Sequence, residues 1–589
     1  MKKRRGIALI TVLVIAVVLM MLLGSFVRIQ QQNFSLIKND DNFVAATEAA
    51  RSAFDYSLFR LERNHYFGKS AFDANKDISL EPHLEIKEVK GTFRLEGKVK
   101  QTGAEFVIVI RNNIDGKTPV DGVAKGHCRL LITGKRGGAK VRREAMMTTA
   151  PLFDSGVIAS KDIKIDAESL TISSRDPLRN RVRSKGAIHV PGISRFHFNP
   201  AEAATERGVL WAKDGIMMGS QSLSTEKAIN QVSSATGGRF MPKADTWFDI
   251  HDLQLNEVRS SKRNVSVKSG ILVFGRREVA YLGDNGIETA NVPVVERRDW
   301  AVDDDGNVTG GNVRELWYMP KALPADRASW QIGVWGDVPE EGMHAQFEPT
   351  FQLDKGVSVH FNSLDPDLGD AAGPPQVVIN SDVNLEVEGD FGIASFDHKF
   401  WPSVVFQDPE TKATETDVYT GETISGSITT KARDGKPGSI YIEGRIDGNG
   451  KLLAEGDVTI RNTYARVDSD KKSDLSVYAG GKVTIRPQKA KWLDGQTVVN
   501  QQEEGTTAFR GLVYAKEDVF IEADKNMDIS KEEKADIHIE GAVVSRTGSV
   551  IVSKARHVTF TYNPEFLDHI LDPDRETRVR LERVVWKEI

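Results

Sequence analysis

The chain contains a single cysteine, Cys128, in 589 residues. That excludes a disulfide framework, a cysteine-based zinc site and a CxxC redox pair. It also lacks an excess of positive charge. Its 78 basic and 83 acidic residues leave a net charge of −5, so no basic field favours nucleic acid. Hydrophobic residues make up 40%, too few for a polytopic membrane protein and too many for a disordered chain. Recognisable catalytic patterns are missing as well. His344, His360 and His398 show no i,i+4 spacing and there is no HExxH. The serine pattern at Gly426-Ser427 is incomplete, and Asp365 and Asp367 flank Pro366 in a turn. Cys128 lies beside a strand and reads as a small buried hydrophobe. What is present is mass for about four domains and abundant glycine (50), with 21 prolines, which suggests many turns between short strands.

The first thirty residues are unlike the rest. Lys2, Lys3, Arg4 and Arg5 precede Gly6, and no charge then occurs from Ile7 to Val27. Those 21 residues would span about 30 Å as a helix, the thickness of a bilayer core. The four cations keep the N-terminus cytoplasmic, so the remainder lies on the far side of the membrane. No proline interrupts Ile7 to Phe67. Leu36, Phe43 and Ala50 fall seven apart, as do Thr47, Phe54 and Leu61. One helix is therefore expected from Ile7 to about Tyr66, with its second half amphipathic.

A basic leader ending in glycine, an apolar helix and the Ala-rich run Ala45-Ala46-Thr47-Glu48-Ala49-Ala50-Arg51-Ser52-Ala53 follow one another. Together they resemble a type IV prepilin, specifically PilX-like minor pilins and the type II secretion pseudopilin K. The resemblance covers about 65 of the 589 residues. It implies cleavage after Gly6 by a prepilin peptidase, with Ile7 as the N-methylated mature terminus. It also implies the inner membrane and other pilins or pseudopilins as partners. Major pilins carry glutamate at the fifth mature position, where Thr11 stands here. The same departure in pseudopilin K goes with a place at the tip.

Alternating runs separated by turn residues occupy 69–150 and predict a five-stranded antiparallel meander on the helix's second half. Phe93, Leu95, Phe106, Ile108 and Leu131 are the candidates to cover it. From 151 a looser motif recurs: an apolar run, alanine, turn residues, then two apolar residues one apart. Copies lie at 156–165, 208–218, 452–460, 477–485, 512–521 and 543–552. Each reads as two short strands bent at a corner, with Val458 and Ile460 on one face. The expected fold is mainly β with one long N-terminal helix: a pilin-like α+β head, then a β-solenoid of right-handed β-helix type. The expected divisions are a leader (1–6), a transmembrane helix (7–27), its amphipathic continuation (28–67) and the head sheet (69–150). Solenoid at 151–234 and 376–556 would flank a Trp-rich insertion (235–375), with an exposed loop at 408–437. A C-terminal cap (557–589) would cover the last rung.

In the insertion, Asp303, Asp305 and Asn307 resemble part of a calcium loop, but Arg314 holds the position where its glutamate would stand. DSDKKSD at 468–474 is similar. Both runs read as solvated turns and no cofactor or metal is expected, with calcium at Asp303, Asp305 and Asn307 as the alternative. Trp247, Trp300, Trp317, Trp330 and Trp335 form either a core for the insertion or a surface for a sugar or protein. The expected role is non-enzymatic: priming, assembling or tipping a type IV pilus or pseudopilus. Two alternatives stand beside it, a signal-anchored periplasmic solenoid with no filament role and an anchored carbohydrate-active β-helix enzyme.

Overall fold

A computed structural model describes residues 4–63, 84–90, 94–113, 123, 127–149, 152–176, 179–199, 207–244, 248, 250–258, 263–283, 286–302, 308–318, 333–334, 343–345, 350–361, 375–395, 402–407, 426–461, 467–468, 471–472, 474–487, 492–494, 497–499, 507–522, 536–567, 570 and 581–588. It is mainly β, with one long N-terminal helix. The chain divides into two compact units, residues 1–150 with 576–589, and residues 151–575.

The first unit is built on α1 (Arg4–Arg63), which runs unbroken as the absence of proline allows. Five antiparallel strands follow in chain order: β1 (Leu84–Lys90), β2 (Arg94–Val99), β3 (Glu105–Asn113), β4 (His127–Arg136) and β5 (Ala139–Thr149). Their alternation buries Leu95, Phe106, Ile108, Cys128, Leu130 and Ile132 in one core with Ala45, Ala49, Ala50 and Ala53 of α1. Phe93 lies outside the described residues. Leu131 takes the opposite parity and is only half-buried, so Leu130 and Ile132 supply the cover instead. The buried stripe of α1 follows the heptad expectation at Ala50, Phe54 and Leu61 and departs from it at Leu36 and Phe43, which are exposed, because burial starts only at Ala45. Small side chains explain this, because they let the helix backbone approach the sheet. A Cβ at Gly134 of β4 would collide with the carbonyl oxygen of Ala46.

The last strand, Leu581–Glu588, pairs antiparallel with β5 rather than capping a rung of the second unit. Lys587 stands opposite Glu144, and their side chains approach to 2.9 Å. Hydrogen bonds from Lys587 and Arg129 hold the Glu144 carboxyl below the ordinary range, against the opposing effect of burial.

The second unit is a stack of parallel rungs. In ladder A, the strand Arg263–Ser266 is followed by Val383–Glu388, Gly426–Lys431, Gly450–Ala454 and Leu475–Ala479. The C-terminal halves of Thr507–Ala515 and Asp536–Ser545 continue it. Ladder B is bent away across a corner. It stacks Ile440–Glu443, Val458–Arg461, Val483–Arg486, Val519–Glu522 and the start of Val550–Tyr562. The recurring motif marks these strands, and Val458, Ile460, Val483, Ile485, Val519 and Ile521 are all fully buried between them. Its alanine forms a buried column, Ala454–Ala479–Ala515. Where serine replaces it, at Ser545, the hydroxyl donates to the carbonyl of Glu517 at 2.5 Å.

The order of stacking is not the order of the chain. Val543, Val544 and Ser545 pair with Val157, Ile158 and Ala159, so the last copy of the motif lies on the first. From Val157 the ladder continues through Arg181–Ser184 and Val209–Ala212 to Arg239–Pro242. Helix α2 (Glu226–Thr236) packs there, with Thr225 as N-cap and Gly237 in the left-handed conformation as C-cap.

The chain must then return to the far end, where the strand Arg263–Ser266 starts the other block. At about 4.8 Å per rung that path is roughly 50 Å, within reach of some twenty residues at about 3.3 Å each. The return segment lies along the outer side of ladder A. Its Ile250, Leu253 and Val258 are buried against Tyr478, Tyr514 and Ile158. Tyr514 Oη donates to the carbonyl of His251 (3.2 Å) and accepts from the amide of Leu253 (3.1 Å). Arg183 lies over Trp211 (4.6 Å) and Phe248 (5.6 Å).

The expected insertion at 235–375 therefore holds the return segment and two rungs as well as additions. Its hairpin, Gly270–Gly283 with Gly286–Arg298, extends ladder B and is joined by Val313–Tyr318. Trp317 is core, stacked on Phe351 at 5.1 Å. The expected exposed loop at 408–437 also needs correction, since 426–431 is a buried rung strand. It was inconspicuous because its neighbours are polar. Asn384 Oδ1 accepts from Ser427 and Thr429 at 2.7 Å each, and its Nδ2 donates to Asn264 Oδ1 at 2.8 Å. Hydrogen bonds here do the satisfying that apolar contact does elsewhere.

Candidate functional site

Gly6 and Ile7 lie within α1, as do Arg4 and Arg5, whereas Lys2 and Lys3 fall outside the described residues. Thr11 is exposed on the same helix. From Ile10 to Asp41 the helix is exposed throughout, including Leu13, Leu19, Leu22, Phe26 and Phe34. It is the one helix among the described residues long and apolar enough to cross a membrane. From Ala45 onward it is held on the sheet, with Phe54, Tyr56 and Leu61 buried. One continuous rod thus carries two environments, an apolar surface with no cover in the monomer and an Ala-rich surface already covered.

A second candidate lies in the other unit, where the corner between ladders A and B meets the added hairpin. A cavity of about 740 Å³ opens there, lined in part by Lys268, Arg297, Asp299, Arg314, Glu386 and Arg433. A neighbouring one of about 260 Å³ shares Ser269, Asp299 and Arg433 and adds Trp300, Asp390 and Lys436. Trp300 is half-buried, and a Cβ at Gly392 would press on its ring. The charged groups are fixed by one another. Arg314 grips Asp299 with two bonds, Nε to Oδ1 (2.8 Å) and Nη2 to Oδ2 (2.6 Å). Glu315 receives Arg297 Nε (3.1 Å) and Lys268 Nζ (2.7 Å). Lys431 reaches Glu386 at 2.5 Å, and Arg433 Nη1 donates to Ser269 Oγ at 2.8 Å. Burial pushes the Glu315 carboxyl up, but hydrogen bonds from Arg297 and Lys268 outweigh it and bring the pKa from 4.5 to about 2. The Arg314 hydrogen bonds hold Asp299 below its usual range, while burial pushes Asp390 up.

The calcium candidates Asp303, Asp305 and Asn307 lie outside the described residues, as do Asp365, Asp367, His398, Trp247, Trp330 and Trp335. Among the described residues no group of three or more His, Cys, Asp or Glu is arranged to hold a metal. In the second acidic run, Asp474 is buried and pairs with Arg510 Nη2 at 3.0 Å. His360 is bonded to Thr350 (3.0 Å) and Ser358 (3.1 Å). Ser427 is spent on Asn384. Of the residues singled out in sequence, only Trp300 and Arg314 line the corner cavities. The others that line them are scattered from 266 to 437, and no local motif marks them.

No family model matches the chain, and no curated protein does. Among solved structures, the chain is similar to the competence-associated pilin ComZ from Thermus thermophilus. The TM-score is 0.29 and the identity 10%, over 93% of this chain and 97% of that one, a likeness too slight to assign a fold or a function.

Proposed function

We propose that this chain is a pilin-like, non-enzymatic subunit of minor abundance, one that displays its large stacked unit from a type IV pilus or pseudopilus. The observation that carries the reading is the division of α1. Its first half is uncovered from Ile10 to Asp41 and is apolar as far as Val27, and its Ala-rich half is packed from Ala45 on. A bilayer before assembly, and a bundle of like helices after it, are the surroundings in which the apolar stretch loses its contact with water.

The four cations of the leader put the N-terminus in the cytoplasm and the rest in the periplasm or on the filament. A prepilin peptidase would cut after Gly6, leaving Ile7 as the methylated mature terminus. Thr11 offers no carboxylate to offset the terminal amine of a neighbour, which supports a tip position. The PilX-like and pseudopilin K-like assignments, and the reading of the stacked unit as a right-handed β-solenoid, belong to this proposal. A non-enzymatic role is supported by the corner carboxylates Asp299, Glu315 and Glu386, each tied to a cation. Calcium at Asp303, Asp305 and Asn307 stays a proposal for metal titration of the intact protein.

The test is the N-terminal sequence of the protein made in cells with a prepilin peptidase. It should begin at Ile7, and Gly6→Ala should keep the leader. A wild-type chain that retains residues 1–6 would overturn the prepilin reading in favour of a simple signal anchor.

A further inference from the structure

We propose that the paired corner cavities bind a neutral oligosaccharide. Three observations converge on that ligand class. The space is large enough for several sugar rings, with volumes of about 740 and 260 Å³ joined through shared walls at Ser269, Asp299 and Arg433. Those walls are rich in both donors and acceptors, and the salt links and hydrogen bonds already described hold them still. Arg314 is locked on Asp299 and Arg297 on Glu315, while the exposed Arg433 makes a single bond to Ser269. Side chains already held in place suit the hydroxyls of a sugar, through the donors and lone pairs their mutual bonds leave over, because little side-chain entropy remains to be lost on binding. The third observation is Trp300, a half-buried indole in the wall of the smaller cavity, set against Gly392. An aromatic face takes the C–H side of a pyranose while polar neighbours take its hydroxyls.

Charge selects the neutral class. The lining carries Lys268, Arg297, Arg314, Arg433 and Lys436 against Asp299, Glu386, Glu388, Asp390 and Asp434. These cancel in number, so the cavity has no net field to draw a polyanion. Recognition then rests on short-range hydrogen bonds and stacking, which salt does not screen.

The site goes beyond the pilin-like reading and does not depend on processing at Gly6. The experiment uses the full chain in detergent against immobilised neutral oligosaccharides (chito-, malto- and cello-series), with oligogalacturonate as the charged comparison. At least one neutral series should bind, with an affinity that is the same at about 50 and 300 mM salt. Trp300→Ala and Arg433→Ala should each weaken it by about tenfold, while Lys164→Ala, on another part of the unit, should not. Gly6→Ala should bind like the parent, which separates this result from the processing test. Arg433 is exposed, so its variant keeps the test valid if Trp300→Ala does not fold. Absence of binding to every neutral series would overturn the proposal. So would binding that survives both variants, or a preference for oligogalacturonate that falls steeply with salt.

Discussion

Asp457 sits at a corner between the two ladders, and its carboxylate accepts the amide of Lys482 in the next rung at 2.7 Å. Asp518 does the same for Ser549 (2.7 Å), Asp390 for Ser439 (2.8 Å) and Asp162 for Ala187 (3.0 Å). Facing three of these carboxylates is a glycine of the receiving rung, Gly481, Gly548 or Gly186, where a Cβ would collide with the aspartate oxygen. The turn residues of the motif were thus legible as turn residues. Their cross-rung bond was not, because donor and acceptor lie some 25 to 50 residues apart in the chain. Asp457→Ala should cost about 0.5–1.5 kcal/mol, the net worth of one such bond. Gly481→Ala should cost a similar amount by displacing the carboxylate. The double variant should be no worse than Asp457→Ala, since at Gly481 the near clash is with that side chain alone. Additive losses in urea melts would show that the glycine serves some other need. Acid should act through the same class of group. Asp162, Asp299 and Glu315 have pKa values lowered in the fold, so their stabilisation is present above the unfolded carboxylate range and lost as pH falls through the folded values. Asp390, raised by burial, works in the opposite direction. The melting temperature of the stacked unit should therefore drop between about pH 4.5 and pH 2, and Glu315→Gln should flatten that drop.

At the scale of elements, α1 was largely readable, because a charge-free run and a proline-free stretch each have a direct physical meaning. Its packing stripe was readable only in part, at Ala50, Phe54 and Leu61. A heptad pattern marks what a helix can bury, and Leu36 and Phe43 keep that capacity while exposed in the single chain. The upper part of the contact is made by Ala45, Ala49, Ala50 and Ala53, whose burial depends on closeness rather than on size, with Phe54, Tyr56 and Leu61 below them. Gly134 sets that closeness, since its missing Cβ lets β4 touch the backbone of α1 at Ala46. Gly134→Ala should lift the helix from the sheet and destabilise the first unit by about 1–3 kcal/mol. Hydrogen exchange should then speed up in β3 and β4 and stay unchanged in the stacked unit. Equal acceleration in both units would mean that the two unfold together. The strand 426–431 teaches a related lesson. Strands announce themselves by apolar alternation, and a rung whose side chains are satisfied by an asparagine-centred network gives no such signal.

At the scale of the whole molecule, the motif copies were visible but their order in space was not. Every copy presents the same backbone ladder and the same alternation, so nothing local tells 543–552 that its neighbour is 156–165. The pairing has a consequence for how the chain is put together. Gly156, where the chain enters the stack, lies against Tyr562, where it leaves. In the first unit Thr149, the end of β5, is the partner of Leu581, the start of the last strand. Residues 151–575 are therefore inserted between two adjacent strands of one sheet, and both units have their broken ends side by side. Insertions of this kind are tolerated when the ends are close and the host's core is complete without them. Replacing 151–575 with a short Gly/Ser linker should leave a first unit that still melts cooperatively. Residues 151–575 made alone should melt at the temperature they show in the full chain. Truncation after 575 should do more harm than excision, because it strips the last strand from β5 and removes Lys587 from the buried Glu144. If the linker-closed unit is unfolded while the truncated chain is not, the last strand is dispensable and the insertion is a structural partner of the sheet that hosts it.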